Sequence, residues 1–581
     1  MNLSLENLIN QKMTAVFNNL NLDSKYATVK VSDRPDLSDF QCNGALALAK
    51  QERKNPREIA SQIAAALEKD KDLAKVSVDG PGFLNLSLTN EFIAGIMQKI
   101  AEDTDLGIAK VEKPHKVVLD FGGPNVAKAM HVGHLRSGVI GEAVQRIERM
   151  VGNEVVSDVH LGDWGTPMGM ILAEIIRQDG DLKKTTQYTI EEITDFYKRA
   201  NLRCKEDDTA RENARIITAK LQDGDPEYRA AWQHLRHVSV EAVKANYQAL
   251  DVHFDLWLGE SDAHETCKEI VKIAADKKLS EIDDGATIIR LEEENDKKKL
   301  PPVILEKSDG GFTYHTTDIA TIKMRVDDLD AQEICYFVDQ RQSLHFEQVF
   351  KAVEKLELAP NIKLAHYGFG TVNGADGKPF KTRDGGVMTL ENLIKLSKDK
   401  VRDSIPAAGE VEGYGEKEIE KLVTQVAIGA IKFQDLKNNT ASGYVFDLDD
   451  FAKFEGRTGP YIQYAIARIN SILRKAAEKD LRPAKIMITN REERELALKI
   501  AQLNTAVMRA HQEKEPSIIA DYAYTLAQVF SSFYNASPIM GAETKELAQS
   551  RLALAKLLKD ILEKLLYLLG IEAPEVMLKK A

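Results

Sequence analysis

The stretch from Lys116 to His134 decides the fold, and it reads Lys-Val-Val-Leu-Asp-Phe-Gly-Gly-Pro-Asn-Val-Ala-Lys-Ala-Met-His-Val-Gly-His. Its beginning, Lys116 to Phe121, is an apolar run that predicts a buried strand. Apolar side chains then recur at helical spacing from Leu135 to Val151, and a glycine follows. The pattern predicts a strand that passes into a helix.

Two histidines and a glycine fall at the predicted start of this helix. Backbone N–H groups are unpaired at a helix N-terminus and the helix dipole is positive there, which favours a phosphate. His131 and His134 can reach phosphate oxygens, and Gly133 between them lets a nucleotide ring approach the backbone. The motif predicts an ATP site, and the alternative is a pair of ordinary histidines at a helix start.

Two further predicted strands end in polar clusters. Val155–His160 leads into Leu-Gly-Asp-Trp-Gly, and Glu333–Val338 leads into Asp-Gln-Arg-Gln. Because helical segments separate the strands, the pattern predicts an α/β core with a parallel, Rossmann-like sheet. Ligands bind outside the carboxyl ends of the strands in such sheets, and the polar clusters fall at those ends.

Length and composition limit the class of protein. A chain of 581 residues is too long for one core, so about three or four domains are expected. Its 43% hydrophobic and 29% charged residues are typical of a soluble globular protein. No apolar run is long enough to span a membrane, and the start of the chain lacks a secretory signal pattern. The isolated cysteines argue against zinc and disulfides and favour a reducing cytoplasm.

Pattern changes divide the chain into four parts. Residues 1–109 are predicted to form an α+β domain, and residues 115–400 an α/β domain with a charged, helical insertion at about 175–290. Residues 401–455 are predicted to be a helical connection, and residues 456–581 an all-helical domain.

The charge is unevenly distributed along the chain. The formal net charge is −12, yet residues 451–581 hold 20 Lys and Arg against 15 Asp and Glu. A mildly basic end on an acidic body permits a local contact with a polyanion. The alternative is that this small excess is scatter.

A second motif lies in the glycine-bracketed stretch 376–386. Lys378 and Lys381 would give a mobile cationic loop, which can close over a triphosphate and neutralise charge on the leaving pyrophosphate. The alternative is a solvated surface loop. Its position after the sheet, in the same chain as the paired histidines, favours the phosphate function.

A third motif pairs Tyr314 with Asp318. If the chain is helical after Tyr314, the two side chains face the same way. A carboxylate with a phenol beside it suits a planar guanidinium that binds in bidentate fashion. The alternative is that Asp318 caps a helix at Ile319–Arg325.

Together these motifs resemble the arginyl-tRNA synthetases of the bacterial type, a family of class I aminoacyl-tRNA synthetases. The resemblance runs from about residue 30 to the C-terminus, and the ordered set is highly specific although no single member is. The segments that carry it are Asp39–Gly44, Pro124–Ser137, His160–Gly165, Tyr314–Asp318, Asp339–Gln342, Gly377–Arg383 and Glu455–Tyr464.

The resemblance implies roles for individual residues. The catalytic residues that it implies are His131, His134, Lys378 and Lys381. The ATP-binding residues that it implies are Lys128, His131, Gly133, His134, Lys378, Lys381 and Thr382. The arginine-binding residues that it implies are Asp120, Asn125, Tyr314, Asp318 and Gln342.

The implied reaction is the ATP-dependent ligation of L-arginine to its cognate tRNA. The carboxylate of arginine attacks the α-phosphorus of ATP, which brings Mg²⁺, and arginyl-adenylate and pyrophosphate result. The 2′-hydroxyl of the terminal adenosine of the tRNA then takes the arginyl group, and AMP leaves. Two stretches depart from the family pattern. Pro379-Phe380 replaces the middle of the usual Lys-Met-Ser-Lys-Ser, and Gly122-Gly123 replaces Ser-Ser or Ser-Ala.

The resemblance also implies that both end domains contact tRNA, the first at the elbow and the last at the anticodon region. Tyr461, Tyr464 and Arg468 lie at helical spacing in the last domain and can stack on unpaired bases. Core packing is the alternative for Tyr461.

The expected protein is a cytoplasmic monomer with no membrane partner. Two other functions compete with that of a synthetase. A non-catalytic tRNA-binding paralogue should have lost signature residues, which are present here. Another class I enzyme, such as a cysteinyl-tRNA synthetase, needs zinc ligands that the sequence does not offer.

Overall fold

A computed structural model describes residues 3–293, 299–374, 377, 388–406, 414–447 and 453–578. Over these ranges, none of the helices combines the length and the apolar character that crossing a membrane requires. The predicted class of fold is confirmed: a parallel sheet lies at the centre, with an α+β domain before it and a helical domain after it.

The N-terminal domain is an antiparallel sheet of four strands, in the order β1-β2-β4-β3, with four helices. Two glycines at the turn between β3 and β4, Gly80 and Gly82, have positive φ. The elements are α1 (Leu5–Asn19), β1 (Val29–Val31), β2 (Phe40–Cys42), α2 (Gly44–Glu52), α3 (Pro56–Leu67), β3 (Leu73–Asp79), β4 (Phe83–Leu88) and α4 (Asn90–Glu102).

The α/β core begins with the strand and helix that the opening stretch predicts. The helix starts earlier than the apolar spacing indicates, because His131 caps it. The elements of this first half are β5 (Lys116–Phe121), α5 (Val132–Met150), β6 (Glu154–Asp158) and α6 (Thr166–Asp179).

The insertion follows α6. It contains the predicted helices, and residues 223–225 separate two of them. Besides these helices it contains a three-stranded antiparallel sheet. Its elements are α7 (Ile190–Glu206), α8 (Asp208–Gln222), α9 (Pro226–Ala249), α10 (His264–Asp276), β7 (Ser280–Asp283), β8 (Ala286–Ile289) and β9 (Val303–Glu306).

The second half of the core completes a parallel sheet in the order β11-β10-β5-β6. Alternate residues of β5 enter two separate apolar clusters: Val117 and Leu119 pack with α5, and Val118 packs with α11 and α12. Helices therefore cover both faces, as predicted. The elements are α11 (Tyr314–Leu329), β10 (Glu333–Phe337), α12 (Ser343–Leu356) and β11 (Lys363–His366).

The remaining described chain is helical apart from one short ladder, in which β12 and β13 pair in parallel. The predicted helical domain at the end of the chain is confirmed. The elements are β12 (Val372–Asn373), α13 (Leu390–Ser404), α14 (Glu416–Leu436), β13 (Tyr444–Val445), α15 (Gly459–Glu478), α16 (Arg491–Ile500), α17 (Leu503–Glu513), α18 (Ser517–Ala536) and α19 (Lys545–Leu568).

A buried charge cluster joins the helical domain to the core. Glu148 on α5 is fully buried, and its Oε1 accepts from Lys514 Nζ at 2.7 Å and lies 2.8 Å from His511 Nδ1. Its Oε2 accepts from Asn153 at 2.7 Å. Burial acts to raise the pKa of Glu148, but His511 and Lys514 outweigh it and hold the pKa below its usual value.

Lys514→Met is expected to lower the free energy of unfolding by about 3 kcal/mol or more, because Glu148 stays buried with one cation fewer. Denaturant unfolding of the full chain measures the change. Arg509→Met is the matched control, since Arg509 lies on the adjoining helix with its side chain 63% exposed, and it should shift stability by less than about 0.5 kcal/mol. Equal unfolding midpoints for Lys514→Met and the parent would show that the cluster adds no stability.

Candidate active site

The candidate site lies at the carboxyl ends of β5, β6 and β10. The chain leaves β5 towards β6 on one side, whereas β10 pairs with β5 on the other side. The strand order therefore reverses between β5 and β10, which is where open α/β sheets form a crevice for ligands. The predicted polar clusters after β6 and β10 reach this edge of the sheet.

The two signature histidines form one unit at the start of α5. His131 is the N-cap residue, and its Nδ1 accepts from the Gly133 N–H at 3.0 Å. The Nδ1 of His134 accepts from the His131 N–H at 3.1 Å, and the ring centroids are 4.0 Å apart. Because both Nδ1 atoms accept, each neutral ring carries its proton on Nε2, where it can donate to a phosphate oxygen.

The environment keeps these rings uncharged. Burial, followed by the neighbouring His131 and Lys128, lowers the pKa of His134 to about 3. Burial and then Lys128 also lower the pKa of His131. The pair therefore offers N–H donors, and the positive end of the helix dipole supplies further attraction for an anion.

Gly133 and Lys128 complete this part of the site. A Cβ at position 133 would lie 2.7 Å from His131 Cε1, so a larger residue would displace the capping ring. The ammonium of Lys128 lies 4.6 Å from the ring centroid of Tyr197 on α7. The insertion therefore contacts the lysine that the sequence placed at the phosphates.

The second predicted motif, with Lys378, Lys381 and Thr382, lies outside the described residues. The chain that follows it is hydrogen-bonded to the first motif. Val132 N donates to Met388 O at 3.1 Å, and Leu390 N donates to Met130 O at 3.0 Å. The chain at Met388–Leu390, just after this stretch, is thus attached directly to the histidine motif.

The segment before the cationic stretch is attached through Arg136, a fully buried residue of α5. Its Nη1 donates to the carbonyls of Gly370 at 2.8 Å and Ser442 at 2.7 Å, and Asp435 neutralises its charge. Both flanks of the second motif are therefore held by the helix that carries the histidines.

Tyr314 and Asp318 lie one turn apart on α11, as the third motif predicts if the segment is helical. The capping alternative for Asp318 is wrong, because the helix begins at Tyr314 with Thr313 as its N-cap residue. Tyr314 lines a cleft of about 420 Å³ whose other walls include Trp164, Glu260, His264, Thr317 and His345. One oxygen of Asp318 is hydrogen-bonded to His345 Nε2.

Asp120 is held within the protein. Arg325 Nη2 donates to its Oδ2 at 2.6 Å and also to Asp158 Oδ2 at 2.9 Å. Burial raises the pKa of Asp120 although Arg325 opposes the shift. Its carboxylate therefore contacts an arginine of the chain itself.

Asn125 and Gln342 are exposed at the same edge of the sheet. Asn125 forms an isolated bridge with Gly162, which joins the loops after β5 and β6. Gln342 ends a short 3-10 turn, residues 340–342, directly before α12. Both amides are available at the rim of the crevice.

Glu260 is a residue of the site that the motifs did not reveal. It is half-buried in the cleft beside Tyr314, and burial together with the nearby Asp163 and Asp318 raises its pKa to about 7, although His160 opposes the shift. No local pattern marks this residue. Only the crossing of the insertion over the sheet edge brings it to the cleft.

The proposed base-stacking residues lie on α15. The Tyr461 ring is half-buried and 5.5 Å from the ring of Tyr524, whereas the side chain of Tyr464 is exposed. The Arg468 guanidinium lies 4.0 Å from the ring centroid of Tyr534. Tyr464 is thus the most accessible of the three predicted residues.

Comparisons with known proteins agree with the order of these parts. A family model described as the N-terminal domain of arginyl tRNA synthetase matches residues 3–88. The model of the catalytic domain of class I (R) tRNA synthetases matches residues 96–448, and that of the DALR anticodon binding domain matches residues 462–577.

Relatives match over almost the whole chain. An arginine–tRNA ligase of Hyphomonas neptunium is 44% identical over 97% of this chain and 98% of its own length, and one of Alkaliphilus oremlandii is 42% identical over the same shares. A crystal structure of arginyl-tRNA synthetase from Plasmodium falciparum has a TM-score of 0.79 and 26% identity, covering 98% of this chain and 99% of that one.

The parallel sheet, with its histidine pair at the first helix, defines a class I aminoacyl-tRNA synthetase. The catalytic-domain match argues against the cysteinyl alternative. Because the relatives share more than two fifths of their residues over their full length, the chain belongs to the arginyl-tRNA synthetase family.

Proposed function

We propose that this chain ligates L-arginine to its cognate tRNA through an arginyl-adenylate, with release of AMP and pyrophosphate. The observation that carries the proposal is the meeting of two complementary sites at one sheet edge. One is the pair of neutral histidines on α5, and the other is the cleft that Tyr314 lines, with Asp318 one turn further along α11. A site for the phosphates of ATP beside a site for a guanidinium suits ATP and arginine, the two substrates of adenylate formation.

ATP would bind with its phosphates at the start of α5. The Nε2–H groups of His131 and His134 donate to phosphate oxygens, and Lys128 adds positive charge. Lys378, Lys381 and Thr382 are proposed to neutralise the pyrophosphate as it leaves. Mg²⁺ would enter with ATP and would neutralise part of its phosphate charge.

Arginine would bind with its guanidinium on Asp318, beside Tyr314 and Glu260. Asn125 and Gln342 offer exposed amides for the polar groups of the amino acid. Asp120, whose Oδ2 already accepts a hydrogen bond from Arg325, stays proposed as an arginine-binding residue.

The selection of arginine over similar amino acids would follow from the negative charge of the carboxylate that binds the guanidinium. Lysine cannot bridge a carboxylate in bidentate fashion, and neutral citrulline would leave the carboxylate unpaired. Discrimination on the order of 10³-fold follows from the cost of an unpaired buried polar group.

In both reaction steps the protein would align the reactants, and it would form no covalent bond with them. The arginine carboxylate attacks the α-phosphorus and the bond to pyrophosphate breaks. The 2′-hydroxyl of the terminal adenosine next attacks the arginyl carbonyl, and AMP leaves. The protein would accelerate the reaction by holding the reactants in line and by stabilising the charge on the phosphates.

The two end domains are proposed to hold tRNA, the first at the elbow and the last at the anticodon region. Exposed Tyr464, near Arg468, offers a ring for a base in the last domain. We expect a monomer, since one chain carries both domains. The four cysteines are buried and free, which suits a reducing cytoplasm.

Arginine-dependent exchange between ATP and pyrophosphate tests the proposal. We expect exchange near background without tRNA and clear exchange with tRNA whose terminal adenosine is intact, because tRNA is proposed to shift the site towards its competent form. Binding of tRNA without any exchange would instead support the non-catalytic alternative. Strong exchange without tRNA would refute the coupling between tRNA binding and arginine activation, but it would still support the proposed ligase activity.

The arginine KM is expected to fall as pH rises through about 7, the pKa of Glu260. The ionised carboxylate attracts the guanidinium, so raising pH increases the competent fraction, and arginine binding should release protons. Initial-rate measurements from about pH 6 to about pH 8 check this. Glu260→Gln should flatten the profile. An equally steep profile in that variant would assign the titration to another group.

A further inference from the structure

His345, on the first turn of α12, contacts the carboxylate proposed to bind the substrate. Its Nε2 is hydrogen-bonded to Oδ2 of Asp318. The two side chains are only 19% and 21% exposed, so solvent competes weakly for this contact. His345 also lines the cleft that Tyr314 and Glu260 border.

The imidazole is itself held in place. Its ring centroid lies 4.6 Å from that of His315 on α11 and 5.3 Å from that of Phe346, which packs edge-on. The backbone of His345 is fixed because α12 begins at Ser343, directly after the 3-10 turn that ends with Gln342. Rings on both sides therefore restrict the direction in which Nε2 points.

The hydrogen bond to His345 leaves the second oxygen of the Asp318 carboxylate for a ligand. Among the described residues, no donor is bonded to the second oxygen of Asp318, Oδ1. A guanidinium that binds in bidentate fashion needs both oxygens in one plane with its own N–H groups. Each carboxylate oxygen can accept more than one hydrogen bond, so Oδ2 can keep His345 and still receive the substrate.

We propose that His345 is a positioning residue for arginine recognition: it sets the plane of the Asp318 carboxylate so that the guanidinium meets it in bidentate fashion. The inference rests on the proposed function, in which Asp318 binds the guanidinium. Without His345 the carboxylate of Asp318 rotates freely, and arginine binding is weakened by the conformational entropy that is lost when the carboxylate becomes ordered. The loss should appear in arginine binding and leave the ATP site unchanged.

Two substitutions separate hydrogen bonding from packing. His345→Phe keeps an aromatic ring between His315 and Phe346 but removes the donor. His345→Gln keeps a donor near the place of Nε2 and removes the ring. We expect His345→Phe to raise the arginine KM for tRNA charging about 10-fold, the size of a lost bond to a charged group. The ATP KM should stay at the parental value. In His345→Gln the arginine KM should lie close to the parental value, because the donor is retained.

His366→Phe is the matched control. The His366 ring stacks on Phe346 at 4.6 Å, and its Nε2 contacts the Val338 carbonyl. The substitution perturbs the same aromatic group without touching Asp318, so the arginine KM should stay parental. If His345→Phe does not fold, His345→Leu removes the donor with a smaller side chain and serves in its place.

A double-mutant cycle with Asp318→Asn decides the mechanism. If His345 acts only through Asp318, His345→Phe adds no further loss in the Asp318→Asn background. A parental arginine KM in Asp318→Asn alone would overturn the assignment of the guanidinium to Asp318, on which this inference rests. A raised KM in Asp318→Asn with a parental KM in His345→Phe, or with fully additive effects, would overturn the positioning role. Calorimetric affinities for arginine provide the same cycle without turnover.

Discussion

Asp318→Asn is expected to raise the arginine KM by about 10³-fold, the largest effect on binding that we predict for one side chain. The substitution keeps the size and one acceptor oxygen but removes the charge and the second acceptor. The guanidinium then loses its bidentate ionic partner inside a cleft that is partly shielded from water. The ATP KM should change little, because the phosphates are assigned to α5.

Initial rates of tRNA charging, with arginine and ATP varied separately, measure both constants. Asp327→Asn is the matched control on the same helix, because Asp327 pairs with Lys323 at the surface and its side chain is 51% exposed. It should leave both constants at the parental values. Equal arginine affinity in Asp318→Asn and the parent, by calorimetry, would place the guanidinium site elsewhere.

His134→Ala is expected to slow adenylate formation by about 10²- to 10³-fold, with arginine binding nearly unchanged. The His134 ring is kept neutral by burial, and its Nδ1 is occupied by the His131 N–H. Its Nε2–H is therefore a fixed donor aimed at charge that develops on the phosphates. Removing a donor that acts on charge growing in the transition state lowers the rate rather than the ground-state affinity.

Single-turnover measurements of adenylate formation, with tRNA bound, check this expectation. His253→Ala is a suitable control, because that imidazole is 63% exposed and lies beside Glu142 on α5, eight residues along the helix from His134. A single-turnover rate in His134→Ala close to the parental rate would show that this ring does not act on the phosphates.

Much of the core was predictable from local patterns. The apolar run at Lys116–Phe121 is a strand, and the helix after it begins at Val132, where the histidine motif indicated a helix start. Strand β10 also lies within its predicted range. These predictions hold because side-chain periodicity and capping are properties of residues close together in the chain.

Other features were open until the tertiary structure was known. The sequence around Asp318 allowed both a cap and a side chain within the helix, since several threonines precede it and each can begin a helix. The structure begins α11 at Tyr314 and so decides the question. Lys378 and Lys381 lie outside the described residues, and their role stays a prediction.

By itself the sequence determined the first strand and helix of the core, the order of the motifs and the likeness to one family of synthetases. Only the tertiary structure decided which partners hold the buried charges. Arg325 meets Asp120 across 205 positions of the chain, and Lys514 meets Glu148 across 366 positions. A buried carboxylate needs a cation or donors wherever the fold can supply them, and that choice depends on packing rather than on neighbours in sequence. For the same reason, Glu260 and His345 became visible as parts of the cleft only in three dimensions.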